Sequence, residues 1–244
     1  RTEDGGTSWL PPVWADGNGA ALKSVDFTST SSSLRGWAVG DDLLVMTTTN
    51  GNDWRPIVLP ADELGLDESD KLRGVDFFDS ELGWVVGDNS VILSAKRSDS
   101  SGDDDDTVGD DDDTVDGDPI AHHWSRGNIP APVGAEDLRS VSLFSASLGW
   151  AVGTGGTILK TVNGGLDWDT QSHSAGSVEL NSVFFLPVGG APPIGWAVGT
   201  NGTVLRTNDG TNWTRQYPFE GNPRLNDVYA IDGNHVFVVT DTGD

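Results

Sequence analysis

The phrase Gly-Trp-Ala-Val-Gly occurs at Gly36–Gly40, Gly149–Gly153 and Gly195–Gly199, and Gly83–Gly87 differs from it only by Val85. A phrase that recurs in a fixed frame marks one supersecondary unit copied along the chain, and such a unit must bury itself against its neighbours. Upstream of each copy lies a Leu-x-x-Val run: Leu22–Val25, Leu72–Val75, Leu138–Val141 and Leu180–Val183, with a fifth at Leu225–Val228. Downstream lie a short apolar stretch, a polar turn and a closing tryptophan, at Trp54, Trp124, Trp168 and Trp213; Trp9 ends a similar turn. Uninterrupted frames run about 45 residues, the length of a four-stranded propeller blade.

The segments are short, rich in Val, Ile, Phe, Trp and Thr, and bounded by Gly, Asn, Asp and Ser, which reads as strands. No stretch has helical periodicity of useful length. Each frame therefore predicts four antiparallel strands: Leu-x-x-Val-x-Phe, then Gly-Trp-Ala-Val-Gly, then Ile-Leu-x-Thr, then the strand at the closing Trp. The turn before that Trp has its own pattern, fullest in Thr161-Val162-Asn163-Gly164-Gly165-Leu166-Asp167-Trp168 and matched by Thr2 to Trp9, Thr48 to Trp54 and Thr207 to Trp213. Asn-Gly and Asp-Gly supply the positive backbone angles that a tight hairpin needs.

These turns resemble the Asp-box (BNR) hairpin. The whole frame resembles the β-propeller repeat of the Ycf48-like, or photosystem II assembly factor-like, family, across nearly the whole chain outside one insert. The resemblance implies an all-β propeller and a role in assembling membrane complexes by binding a partner subunit. In photosynthetic organisms that role is associated with basic residues on the propeller. It also implies an extracytoplasmic location, reached by an export segment not present in this chain.

Residues 1–244 read as a single domain. Four frames are complete; the fifth is degenerate, with Val236–Val239 in place of Gly-Trp-Ala-Val. The chain opens on the second half of a frame, Arg1 to Trp9. Joining the two ends would make one further blade and remove exposed strand edges. The expectation is a five-bladed ring whose last blade is completed by the N-terminal segment. The alternative is part of a longer, seven-bladed propeller, favoured by the missing Ile-Leu strand between Gly243 and Arg1.

The formal charge is −24, and the chain has no Cys. An acidic body disfavours nucleic acid, whose binding rests on Lys and Arg, and disfavours anionic membranes for the same reason. No apolar run is long enough to span a bilayer. The absence of Cys excludes disulfides and thiolate metal sites. An insert, residues 98–121, interrupts the second blade where other copies carry their Asn-Gly turn, and ten of the acids fall between its Asp103 and Asp118. This insert reads as a solvated, self-repelling loop. The sharper alternative is a Ca²⁺ site built from Asp103, Asp104, Asp105, Asp106, Asp110, Asp111, Asp112, Asp113, Asp116 and Asp118, since Ca²⁺ takes six to eight hard oxygens. No other cofactor is expected.

The repeated tryptophans Trp37, Trp84, Trp150 and Trp196 read as inter-blade packing. The turn residues Asp4, Asn50, Asn163 and Asp209 read as hairpin stabilisers, not catalysts. A sialidase-like site would need an arginine cluster and a Tyr nucleophile, and the chain has only Tyr217 and Tyr229. Glycoside hydrolysis on paired carboxylates has no constellation behind it. His122 and His123 flank the insert, where alternation allows only one to join a given site, and solvent exposure is expected. His173 and His235 show no partner in the sequence. Arg55, Arg73, Arg126, Arg139 and Arg224 fall near frame boundaries and would share one face if the blades register.

The expected function is a non-enzymatic protein-binding scaffold or accessory subunit whose partner meets the loops of one face. Those loops are Thr28–Arg35, Pro187–Ile194 and the insert. Candidate contacts are Trp14, which stands outside the repeat near Pro11 and Pro12, together with Arg35 and Arg126. The alternative is a carbohydrate-binding propeller with pockets between blades, and a third reading, ranked below it, is a glycoside hydrolase on the same fold.

Overall fold

The computed structural model describes residues 2, 4–8, 20–29, 34–97, 122–130, 136–186 and 192–241. Its architecture is a row of antiparallel sheets in which the chain enters at an inner strand and works outward before passing to the next sheet. The first sheet holds β1 (Leu22–Ser29), β2 (Leu34–Gly40), β3 (Val45–Thr48) and β4 (Arg55–Ile57). The second holds β5 (Leu72–Phe77), β6 (Leu82–Gly87), β7 (Ile92–Arg97) and β8 (His122–Arg126). The third holds β9 (Leu138–Leu143), β10 (Gly149–Gly153), β11 (Ile158–Thr161) and β12 (Asp169–Thr170). The fourth holds β13 (Leu180–Phe185), β14 (Gly195–Gly199), β15 (Val204–Thr207) and β16 (Trp213–Gln216). The fifth has two strands, β17 (Leu225–Ala230) and β18 (Val236–Thr240). These are propeller blades, as the repeat predicts. One four-residue helix, α1 (Ala61–Leu64), bridges the first and second blades.

The register explains the repeated phrase residue by residue. Its first glycine lies opposite the aromatic of the inner strand, as in Gly36 with Phe27, Gly83 with Phe77 and Gly195 with Phe185. A Cβ there would sit 2.4 Å from the Phe27 ring, 2.3 Å from Phe77 and 2.5 Å from Phe185. The tryptophan that follows points into the next blade. Trp37 stacks on Phe77 at 3.6 Å and Trp150 on Phe185 at 3.6 Å, while Trp84 meets Trp168 edge-on at 5.2 Å. The core is thus a series of seams: Trp37 packs with Leu72 and Val75, Trp84 with Leu138 and Val141, Trp150 with Leu180 and Val183, and Trp196 with Leu225 and Val228. Burying these side chains is the main force holding blade to blade.

Polar links cross the same seams. Inner strands of neighbouring blades do not form a backbone ladder; side chains bridge them instead. Asp26 accepts from the Phe77 amide at 2.8 Å, Asp76 from the Leu143 amide at 2.6 Å, and Ser142 from the Phe185 amide at 3.1 Å. Each link satisfies an inner-strand N–H that would otherwise be buried without a partner.

The ends differ from the expected ring. Residues 2 and 4–8 form an Asp-box turn on their own, with Asp4 accepting from Ser8, and they join no sheet. Among the described residues β17 and β18 remain a two-stranded sheet, and residues 2 and 4–8 pair with neither of them. The physical reason is local: the described N-terminal residues are a polar turn with no apolar strand among them to pair with β18. The row of blades is therefore open among the described residues. Leu22, Val25 and Phe27 are 39, 57 and 45 % exposed, whereas the matching Leu72, Val75 and Phe77 are buried. At the other end Phe237 and Val239 take the places of a repeat Trp and Val, and both are exposed. No helix of the described residues is long and apolar enough to cross a membrane.

A cationic cleft on the inner strands

The residue that follows Leu in each Leu-x-x-Val run begins the exposed lip of an inner strand: Lys23, Arg73, Arg139, Asn181 and Asn226. Because the inner strands lie side by side, these residues converge. Together with Arg224 they line a cleft of about 220 Å³. A connected recess of about 250 Å³ reaches deeper, to Ser140, Ser182 and Asp227. Four cations thus meet in a chain whose net charge is −24.

Acids at blade junctions hold the cations in place. Lys23 pairs with Asp41 at 3.2 Å, and Arg73 forks onto Asp88 while approaching Asp137 at 3.8 Å. The Asp88 contact raises the Arg73 pKa further above its ordinary value. Glu179 lies 3.5 Å from Arg139 and 3.1 Å from Arg224. Arg224 also donates to Asn181 Oδ1 at 3.0 Å, and Asn181 donates to the Leu225 carbonyl at 2.7 Å. None of these four acids lines the shallower cleft, so the guanidinium faces are what a guest would meet. The Arg139 Nε–H is buried without an acceptor. Fixed forks of this kind suit a carboxylate, which accepts two parallel N–H bonds.

The structure sorts the residues named from sequence. Arg73, Arg139 and Arg224 come together as blade register would require. Lys23 joins them; the signal was available in its place directly after Leu22. Arg55 lies on β4, an outer strand. Arg126, on β8, donates to the carbonyls of Leu64 at 3.1 Å and Gly65 at 2.5 Å, so it caps the C-terminal end of α1. Arg35 lies on β2 opposite Thr28, at the end of the first blade away from Lys23. Trp14 and the ten candidate calcium ligands, Asp103 to Asp118, lie outside the described residues. Among the described residues no cluster of His, Cys, Asp or Glu could hold a metal ion.

The histidines differ from expectation. His122 is half-buried, its ring edge-on to Trp37 at 6.0 Å and Phe77 at 5.7 Å, because its register opposite Arg97 turns it toward the seam; His123 is exposed. His173 contacts the Gly156 carbonyl through Nε2 at 2.6 Å and accepts from the Ala175 amide through Nδ1. His235 pairs with Asp232 at 2.8 Å. The turn acids behave as hairpin parts. The Asn212 amide, its side chain and the Thr211 amide hold the Asp209 carboxyl well below the usual range, and Ser8 holds Asp4 at about 2. A carboxylate engaged in this way is a poor proton donor or acceptor at neutral pH.

A profile of the family described as "Photosynthesis system II assembly factor YCF48" matches residues 118–244. The chain is similar to a solved YCF48 bound to D1 peptide, at 17% identity and a TM-score of 0.60, covering 91% of this chain and 60% of that one. It is likewise similar to YCF48 from Cyanidioschyzon merolae, at 19% identity and a TM-score of 0.60, covering 92% of this chain and 65% of that one. It thus spans less than two thirds of the length of either. No curated protein matches the chain. The likeness to solved structures speaks for the propeller fold; with the profile covering more than half its length, the chain belongs to the family of photosynthesis system II assembly factor YCF48.

Proposed function

We propose that this protein is a non-enzymatic scaffold that binds a partner polypeptide during assembly of a membrane-associated complex, outside the cytoplasm. The partner's docking point is the inner-strand cleft, which receives a peptide segment bearing a free carboxylate. The single observation that carries this reading is the convergence of Lys23, Arg73, Arg139 and Arg224 on one cleft of an otherwise acidic molecule. Family membership supports the assembly role. The similar structure in which a YCF48 holds a peptide supports the kind of ligand.

Titration calorimetry tests it with an acidic peptide ending in a free carboxylate, beside the same peptide amidated. The free acid should bind more tightly, and the difference should shrink as salt rises. Arg139→Gln should weaken the free acid by about tenfold or more, the cost of one lost charge-assisted fork. Equal binding of both peptides, or an Arg139→Gln protein that binds like the parent, would overturn the reading.

A further inference from the structure

The seam between the first and second blades is built unlike the next two. At the second seam Trp84 Nε1–H donates to the Gly164 carbonyl at 3.3 Å. At the third, Trp150 Nε1–H donates to the Gly210 carbonyl at 2.9 Å, and Lys160 lies over the Trp150 ring, held by Thr211 at 2.9 Å. In both, the Asp-box turn of the following blade closes the seam. The second blade has no Asn-Gly turn in its sequence, and Thr47 stands where Lys160 stands in the third. The Trp37 Nε1–H, though buried, has no acceptor.

A cleft of about 400 Å³ opens at this seam, lined by Thr47, Arg55, Ile57, Pro60, Glu63 and Trp124 among others. That volume falls in the range of small-molecule sites. Two of its lining residues are almost fully buried yet unpartnered: Thr47, 3 % exposed, with a free Oγ1, and Trp124, 6 % exposed, with a free Nε1–H. Buried donors without acceptors are costly and rare in folded proteins, so a pair of them lining one cleft points to a guest that brings the acceptor. The walls are set in advance. Arg126 ties α1 to β8, and His122 wedges against Trp37 and Phe77. One wall is apolar, made by Pro56, Ile57, Val58 and Pro60. Arg55 makes no ion pair among the described residues and is exposed at the rim.

We infer that this cleft binds a small organic carboxylate with an apolar body. Its carboxylate oxygens supply the acceptor that Trp124 and Thr47 lack, Arg55 supplies the countercharge, and the body lies on the proline and isoleucine wall. The site is separate from the inner-strand cleft and does not depend on it.

The chain's ten tryptophans give resolvable indole N–H resonances, and Trp124→Phe identifies the one that matters. The labelled full chain is titrated with 3-phenylpropionate and, as the uncharged control, 3-phenylpropanol. A saturable shift of the Trp124 resonance is expected with the acid and a much weaker one with the alcohol. Arg55→Met, at an exposed position, should weaken the acid by about tenfold. Thr47→Val should weaken it as well, and Arg139→Gln should leave it unchanged. The inference fails if the Trp124 resonance shows no saturable shift, if acid and alcohol act alike, or if Arg55→Met binds as the parent does.

Discussion

Asp76 is the residue at which packing and charge conflict most plainly. Its carboxyl bridges two inner strands by accepting from the Leu143 amide, and it sits half-buried near Asp26. Burial pushes its pKa up to about 7; the Leu143 bond pulls the other way, and the neighbouring Asp26 adds to the rise. Burial likewise raises Asp26. The folded chain therefore holds a proton on Asp76 that the unfolded chain releases near pH 4. Stability falls as pH rises from about 4 to about 7, by an amount on the order of a few kcal/mol. Asp76→Asn keeps an acceptor for Leu143 and removes the charge. It should unfold at a higher urea concentration than the parent at pH 8 and at nearly the same one at pH 4. Parallel pH profiles for the two proteins would show that the buried carboxyl carries no such cost.

At the scale of the element, the Asp-box hairpin does two jobs, closing its own blade and capping the tryptophan of the blade before. Gly210 shows both: its φ is +66°, and a Cβ there would lie 2.3 Å from the Trp150 ring. Gly221 has φ +80° with open space around it. Gly221→Ala should cost only the left-handed backbone strain, about 1 kcal/mol, and Gly210→Ala that strain plus about 1–3 kcal/mol of overpacking. Chemical denaturation reads both, and equal losses would show that the hairpin does not bear on the seam. Much of this element was legible in the sequence. The Asn-Gly turns, the phrase glycines and the packing role of the repeat tryptophans follow from strand chemistry. The burial of His122 was not, because alternation places one of two adjacent histidines inward and only the pairing of β7 with β8 decides which.

At the scale of the whole molecule, the propeller class was readable from the repeat, but the closure of its ends was not. Matching half-frames at the termini suggest one blade, yet among the described residues β17 and β18 form a sheet of two strands only. The cationic cleft was only half legible. Its members are scattered along the chain, so neither a basic run nor the composition announces them. What places Lys23, Arg73 and Arg139 together is their common position one step after Leu in successive blades, with Arg224 one step before Leu225, a signal that becomes a site only when the inner strands lie side by side. The cleft is thus a property of the assembled row. The most direct measurement is to attach a photo-crosslinker beside the free carboxylate of an acidic peptide and map the crosslinked residues by mass spectrometry. The cleft account predicts adducts on the inner strands around Lys23, Arg139, Asn181 and Asn226, lost when the peptide is amidated. Adducts confined to outer strands or to the loops between blades, unchanged by amidation, would contradict it.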